Sequence, residues 1–255
     1  MNDEVLRKLY DMASDLAANA KSPVEIRTIC DRLGIPVKRA IAVNDRQTMK
    51  RAFLHQSGDI TEIVLPKTTA DAVRLNRWEK FLIAHELGHY FLSKFRVPKP
   101  LGSREYWEVE KVCDTFARRL LLPTAEVVAV LSICQGSAVD LLAATVHLHL
   151  RFDVPWPVAA HEVSDCARKV YFFKVIADDQ RFRVSASTLP NKRQTGRHIA
   201  FESSFGRLLR ELPARNDKPQ KITTLDAALF EPLHNINDAA VYRAGREYRV
   251  ATVVS

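Results

Sequence analysis

The sequence has few cysteines, few glycines and no long apolar run. Its four cysteines, at positions 30, 113, 134 and 166, form no Cys-x-x-Cys pair. This spacing predicts buried thiols rather than a redox centre or a thiolate zinc site. No stretch approaches 18 uncharged apolar residues, and the first residues lack a basic segment followed by an apolar one. We therefore expect neither membrane insertion nor export, and a cytoplasmic location.

The composition is that of a folded globular protein. The 255 residues are 47% hydrophobic and 27% charged, with a formal net charge of +8. A chain of this length can bury a sizeable core, and these fractions exclude a disordered or fibrous class. The net charge by itself favours no particular substrate.

One pentapeptide carries the strongest chemical signal. Residues 85–89 read His-Glu-Leu-Gly-His and are flanked by apolar residues. On an α-helix, positions i and i+4 lie on one face, so His85 and His89 can reach one cation, with Glu86 beside it. Chance would produce this pattern in only about 1 per cent of sequences with this composition. We predict that both histidines bind a metal ion and that Glu86 is the general base.

The third metal ligand is predicted in the next helix. A hydrolytic zinc site takes three protein ligands and leaves a fourth position for water. Apolar residues recur at helical spacing over 109–120, and Glu110 and Asp114 lie one turn apart there. If Glu110 binds the metal, Asp114 can accept a hydrogen bond from a histidine ligand. This spacing favours Glu110 over Glu105 and Glu108, although most acids of this helix must lie on a solvated face.

The two motifs together resemble those of the ImmA/IrrE family of bacterial zinc metallopeptidases. The resemblance rests on residues 85–89 and on Glu-x-x-Cys-Asp-x-Phe-Ala-x-x-Leu-Leu-Leu-Pro at 110–123, within the first half of the chain. The family usually has Ala and Asn where this chain has Cys113 and Asp114, and Asp keeps a hydrogen-bond acceptor. The resemblance implies a zinc endopeptidase that cleaves XRE-type helix-turn-helix repressors. Such cleavage derepresses genes of DNA-damage responses or of mobile elements.

The chemistry expected at such a site is peptide-bond hydrolysis. Zinc lowers the pKa of its water from about 15.7 to about 7 and polarises the scissile carbonyl. Glu86 would then take the proton. Tyr90, Tyr106 and His55 are the candidate oxyanion donors, and the sequence singles out none of them. Zinc is the preferred metal, while Mn²⁺ and Fe²⁺ also suit nitrogen and carboxylate ligands.

The residues before the pentapeptide predict an α+β unit. Apolar spacing indicates a first helix over 5–16. Ser-Pro-Val-Glu at 22–25 has the form of a capping box with Pro at the first helical position, and Gly34 ends that helix. Strands are predicted at 37–43, 51–55 and 60–65, with turns at 44–45 and 57–59. In peptidases of this general type the substrate lies along a sheet edge, so one strand is a candidate to bind substrate backbone.

We predict three segments: a zincin-like metallopeptidase domain at 1–123, a helical segment at 124–165, and a small α/β domain at 166–255. The middle segment resembles a helix-turn-helix with its turn at 153–155. It contains one base, Arg151, against five acids. Because phosphate binding needs the opposite charge, packing or partner docking is favoured over DNA reading. His147 and His149 face opposite sides of this helix and form no second metal pair.

The last segment differs in charge from the one before it. Residues 166–255 contain 16 Lys and Arg against 9 Asp and Glu. Strands are predicted at 169–177, 181–187 and 246–254 around a helix near 201–212, with Ala244-Gly245 closing the final hairpin. The basic stretches 190–198 and 207–221 could attract nucleic acid or an acidic partner, although a solvated face is the commoner explanation. Some ImmA/IrrE proteins carry a GAF-like regulatory domain here, which implies a sensor.

Two other functions stay open on the sequence alone. One is a DNA- or protein-binding transcriptional regulator that keeps the metal site as structure, for which direct DNA binding would give a steep dependence on salt. The other is hydrolysis of a small molecule, which requires a closed pocket.

Overall fold

The computed structural model describes residues 2–20, 22–40, 52–66, 74–97, 102–167, 169–178, 181–189, 196–200, 203–213, 218–222 and 236–254. The fold is α+β, as predicted. The chain divides into two compact units. The first comprises Met1–Thr124 and Arg151–Pro155, and the second Ala125–Leu150 and Trp156–Ser255. Within the described ranges, no helix combines the length and apolar character needed to cross a membrane.

The first unit contains four helices and a small sheet. The helices are α1 (Asp3–Ala18), α2 (Ile26–Arg32), α3 (Arg77–Lys94) and α4 (Ser103–Leu121), and the strands are β1 (Val37–Ala40), β2 (Phe53–Ser57) and β3 (Ile60–Pro66). The sheet order is β1-β3-β2. Strand β1 is parallel to β3, and β2 is antiparallel to it. Within the described residues β2 is therefore an edge strand.

The start of α2 was predicted wrongly. The helix begins at Ile26, three residues after Pro23, and its N-cap is Glu25, which makes no side-chain capping hydrogen bond. Val24 is buried. Glu25 has an extended backbone and caps the helix without a side-chain bond, so the predicted capping box does not form. Gly34 follows the helix with φ +68°, the left-handed conformation that ends many helices.

The strand predictions in the first unit were correct in number and shifted in position. Strand β2 covers 53–57 rather than 51–55, and β3 extends one residue beyond 60–65. Strand β1 begins at the predicted residue, Val37. The remainder of the predicted 37–43 strand and the turn at 44–45 lie outside the described residues.

Helix α3 is fixed at its N-terminus by a capping box that the sequence analysis missed. Asn76 Oδ1 accepts from Glu79 N and Glu79 Oε2 accepts from Asn76 N, both at 2.9 Å. Asp153 adds ion pairs to Arg77 at 2.6 Å and to Lys80 at 2.8 Å. Two orphan donors of the first turn are satisfied, and the start of the helix is held against residue 153. This fixes the helix that carries residues 85–89.

The second unit combines helices with a larger sheet. The helices that follow α4 are α5 (Thr124–Leu131), α6 (Ala138–Arg151), α7 (Trp156–Ala167) and α8 (Ser204–Glu211). The strands are β4 (Val170–Ala177), β5 (Arg181–Ser187), β6 (His198–Ala200), β7 (Gln220–Lys221), β8 (Ile236–Ala244) and β9 (Glu247–Val254). They form one sheet in the order β6-β5-β4-β9-β8-β7. Residues 152–155 between α6 and α7 include the predicted turn.

Every strand pair in this sheet is antiparallel. The predicted small α/β domain is therefore an antiparallel sheet with helices. Strands β4, β5 and β9, helix α8 and the hairpin at Gly245 (φ +64°) match the predicted positions to within a few residues. Strands β6 and β7 were not predicted, and β8 was implied by the predicted hairpin without bounds. One sheet face packs on α8, whose Phe205 and Leu209 join a core with Phe173, Phe182 and Tyr248.

The two predicted basic stretches are only partly described. Residues 190–195 and 214–217 lie outside the described residues. A role for these stretches in binding nucleic acid or an acidic partner stays a prediction.

Candidate metal centre

The two histidines of residues 85–89 face each other on α3. Their rings are 4.9 Å apart between centroids and inclined by 67°. His85 Nε2 lies 3.1 Å from His89 Nε2. One helical turn separates the residues, so both nitrogens point to the same side of the helix.

Helix α4 brings Glu110 to this pair. Glu110 Oε1 lies 3.2 Å from His89 Nε2, and Glu110 Oε2 lies 3.5 Å from His85 Nε2. His85, His89 and Glu110 each offer a ligand atom, all within 4.8 Å of one another. The structure thus brings together the three residues predicted as metal ligands.

The spacing of these atoms fits a tetrahedral metal ion. Zinc bonds to nitrogen and oxygen are about 2.0–2.2 Å long, so the corners of the tetrahedron are about 3.3–3.5 Å apart. The two Nε2 atoms are 3.1 Å apart, and the nearest Glu110 oxygen of each lies at 3.2 Å (Oε1 to His89) or 3.5 Å (Oε2 to His85), close to this range. Two nitrogens and a carboxylate suit zinc and also other divalent transition metals. The group could therefore hold a metal ion, and the donor set leaves its identity open.

Asp114 sets the orientation of His85. Its Oδ1 lies 2.8 Å from His85 Nδ1. Because a carboxylate only accepts, the proton belongs on Nδ1, and the lone pair of Nε2 is directed at the ligand group. This is the arrangement that supports metal-binding histidines in many proteins.

Glu86 is buried on the same helix. Its Oε2 accepts a hydrogen bond of 2.8 Å from the main-chain N–H of Leu54 on β2. Burial raises the pKa of Glu86 to about 7, against the lowering effects of His85 and of the Leu54 N–H. A carboxyl group with this pKa can both take and give a proton near neutral pH.

The two histidines have shifted pKa values of opposite direction. Burial favours neutral His85, but its hydrogen bond to Asp114 and the charges of Asp114, Glu86 and Glu110 outweigh burial and raise its pKa. Burial, followed by the charge of His85, lowers the pKa of His89 despite Glu110. His89 is thereby favoured in the neutral form that metal binding requires.

Close packing of α3 on α4 depends on Gly88. A Cβ atom at this position would lie 3.1 Å from Cys113 Cα and 3.3 Å from its Sγ. Cys113 is fully buried, and burial raises the pKa of its thiol. The thiol is thus an inert packing group, and the missing side chain of Gly88 lets α4 approach α3 closely enough for Glu110 to meet His89.

The three candidate oxyanion donors occupy different elements. Tyr90 follows His89 on α3, where its ring packs edge-on with Phe91 and lies 5.2 Å from Lys94 Nζ. Tyr106 is exposed on α4, and His55 is exposed on β2 opposite Glu62. Their assignment as oxyanion donors stays a prediction.

Sequence reasoning missed Leu54 as a partner of Glu86. Its contribution is a main-chain N–H, which every residue except proline carries, so no sequence motif marks it. Only the pairing of β2 with β3 and the proximity of β2 to α3 create the contact.

The fold and the site define an α+β protein with a His₂Glu group able to hold a metal ion. No family model matches the chain, and no curated protein matches it. A solved structure described as a Mycobacterium tuberculosis transcriptional regulator aligns with 98% of this chain and 86% of its own, at 15% sequence identity and a TM-score of 0.49. At this identity and TM-score the alignment carries no functional assignment.

Proposed function

We propose that this protein is a metal-dependent endopeptidase. His85, His89 and Glu110 hold the metal, Glu86 is the general base, and Asp114 orients His85. The observation that carries the proposal is the convergence of three residues beside a buried carboxylate on α3. The Nε2 atoms of His85 and His89 are 3.1 Å apart, and the two Glu110 oxygens lie 3.5 and 3.2 Å from them. A metal used only as structure would have no need of such a carboxylate.

The chemistry divides between the metal and Glu86. A divalent metal in such a site acts as a Lewis acid, which acidifies water and polarises a carbonyl group. Glu86 has one oxygen held by Leu54 N–H, so its other oxygen is left to take a proton from water. As the water oxygen bonds to the carbonyl carbon and the peptide C–N bond breaks, Glu86 delivers that proton to the leaving nitrogen. General acid-base help of this kind is worth about 10²–10⁴ in rate.

The substrate follows from the resemblance to the ImmA/IrrE family. We propose that it is an XRE-type helix-turn-helix repressor in the cytoplasm, whose cleavage derepresses stress-response or mobile-element genes. Zinc is the proposed metal, with Mn²⁺ and Fe²⁺ as alternatives. The domain at 166–255 is proposed as the regulatory part.

The test is cleavage of candidate repressors encoded near this gene. Each is incubated with the unmodified protein, with Glu86→Gln and with Glu108→Gln, an exposed acid of α4. Zinc or manganese is added, and fragments are identified by mass spectrometry. We expect the unmodified protein and Glu108→Gln to make one defined cut at similar rates. The rate of this cut should be lower by a factor of about 10²–10⁴ in Glu86→Gln.

Two results would overturn the proposal. One is the absence of any cut with either metal, despite one metal bound per chain. The other is an unchanged cut by Glu86→Gln. The first result would favour the alternative of a DNA- or protein-binding regulator with a structural metal, which a steep salt dependence of DNA binding would support.

A further inference from the structure

Exposed aromatic side chains gather on the elements that build the metal centre. Among the described residues they are Phe53, Trp78, Tyr106 and Trp107. Phe53 lies on β2, Trp78 on α3 and the other two on α4. Singly exposed apolar residues are common, but these four all lie on the elements that carry the candidate metal ligands, Glu86 and the main-chain partner of Glu86.

On α3, an aromatic row leads from solvent to a metal ligand. The Trp78 and Phe81 rings are stacked, 5.3 Å apart and inclined by 23°. The Phe81 ring lies 6.4 Å from the His85 ring. These residues are spaced i, i+3 and i+7, so they share one helix face. Trp78 is 52% exposed, whereas Phe81 is buried. Trp78 is therefore the exposed end of a row of rings that reaches a predicted metal ligand through the buried Phe81.

On α4, a second aromatic pair precedes Glu110 by one turn. The Tyr106 and Trp107 rings are 5.4 Å apart and meet edge to face. Trp107, Glu110 and Asp114 are spaced i, i+3 and i+7, so they share one face. Trp107 is 56% exposed.

The two aromatic groups lie on opposite sides of the metal centre. Asp114 contacts His85 and Glu110 contacts His89, so α4 runs antiparallel to α3. Trp78 precedes His85 on α3, while Trp107 lies beyond the Glu110–His89 contact. Counted along the two helices at 1.5 Å per residue, the backbone positions of Trp78 and Trp107 are separated by at most about 20 Å, roughly the length of six residues of extended chain.

Strand β2 runs along the same direction. Leu54 N bonds to Glu86, and Gln56 Nε2 lies 3.4 Å from Ser93 Oγ, so β2 and α3 advance together. Among the described residues β2 pairs only with β3, so its other side suits an extended peptide that pairs its backbone with the strand. A small molecule would reach only one of the two aromatic groups.

We propose that this surface binds an extended peptide with large apolar side chains on both sides of the bond at the metal. Trp78, supported by the buried ring of Phe81, forms one apolar subsite, and Tyr106 and Trp107 form the other. The proposal rests on the proposed endopeptidase function, and it adds the substrate class. Such a sequence is normally buried in a folded protein, so the substrate must expose the segment before it binds.

Intrinsic tryptophan fluorescence can report on peptide binding at this surface. It has three tryptophans, of which Trp156 is 4% exposed and belongs to the second unit. Trp78 and Trp107 therefore dominate quenching by acrylamide. The Glu86→Gln protein with zinc is titrated with three synthetic peptides of the same polar sequence. The first carries two Phe about six residues apart, the second carries one Phe, and the third carries none.

We expect the peptide with two Phe to protect both exposed indoles from acrylamide and to bind more tightly than the peptide with one Phe. The variants Trp78→Phe and Trp107→Phe assign the fluorescence signals to each indole. Trp78→Ala and Trp107→Ala should each weaken binding by about tenfold to thirtyfold, the usual effect of truncating an interface tryptophan. Ile133→Ala is the matched control, since Ile133 is 83% exposed and lies outside the aromatic groups. It should bind like its parent.

The outcomes separate this proposal from the proposed function. Peptide binding that depends on both tryptophans, without cleavage by the unmodified protein, would support the peptide-binding surface and contradict the proposed endopeptidase function. If Trp78→Ala and Trp107→Ala cleave like the unmodified protein, the endopeptidase function is supported and the proposed peptide-binding surface is contradicted. Equal binding of all three peptides, or no binding, also overturns the surface. So does a dimer by light scattering in which both indoles are already protected, because a second copy would then be the occupant.

Discussion

Each of the two compact units buries a histidine beside charged groups, and the surroundings of these histidines differ. In the first unit, His85 and His89 direct their Nε2 atoms toward each other and toward a carboxylate. In the second, His149 Nε2 lies 3.4 Å from Arg249 Nη2 on β9. A guanidinium group only donates hydrogen bonds, so it uses the lone pair that a metal would need.

The comparison shows that burial and polarity alone do not mark a metal site. What marks it is the convergence of several acceptor atoms with no cationic donor between them. His147, two residues before His149, is exposed while His149 is buried. The two histidines on α6 are two residues apart and face different sides of the helix, whereas those on α3 are four residues apart and share one face.

The largest expected effect is on the stability of the second unit. Phe205→Ala removes a fully buried ring of α8 from the core against β4, β5 and β9. We expect a loss of about 3–5 kcal/mol in the free energy of unfolding, measured with urea. Metal affinity, measured by competition with a chelator, should not change. An equal loss of metal affinity would contradict the assignment of the metal group to the first unit alone.

A smaller effect is expected from Asp114→Ala, which removes the acceptor for His85 Nδ1. The ring then loses the bond that fixes its tautomer, so metal affinity should fall by about 10- to 100-fold. Competition with a chromogenic chelator measures it. Asp114→Asn, which keeps an acceptor, should restore most of the affinity. If both variants bind metal like the unmodified protein, Asp114 has no orienting role.

The smallest expected effect comes from Gly88→Ala. The added methyl meets the Cys113 backbone, and such overpacking costs about 1–3 kcal/mol. Alanine also favours the helix by about 1 kcal/mol relative to glycine, which offsets part of this cost. The free energy of unfolding in urea should therefore change less than the free energy of metal binding. Gly88→Ala with Cys113→Ala should recover only part of the affinity, because the contact with Cα remains. Full recovery would show that Sγ alone limits the approach of α4.

Much of the metal centre was predictable because its signals are local. His85 and His89 lie one turn apart on one helix, and the period of α4 selects Glu110 and Asp114 from its other acids. The rule that a hydrolytic zinc ion takes three protein ligands then predicts that the two helices meet at one ion. The contribution of Gly88 is tertiary, since it depends on which residue of α4 lies opposite.

Long-range pairing explains most of what the sequence did not predict. Strands β6 and β7 are very short, and the hairpin predicted at Ala244-Gly245 implies β8 but does not show where it begins. The Leu54–Glu86 bond joins residues 32 positions apart through a main-chain atom. The start of α2 was placed wrongly because Ser-Pro-Val-Glu satisfies a local capping rule, whereas in the structure the helix begins after this segment and Val24 is buried.

The metal content of three purified proteins tests most directly whether His85, His89 and Glu110 bind a metal ion. The unmodified chain, His89→Ala and His149→Gln are dialysed against zinc, freed of excess ion and measured by mass spectrometry of the metal, with circular dichroism to show that each is folded. We expect one metal per chain in the unmodified protein and in His149→Gln, and almost none in His89→Ala. Equal metal in all three, or none in the unmodified protein, would contradict a metal centre at His85, His89 and Glu110.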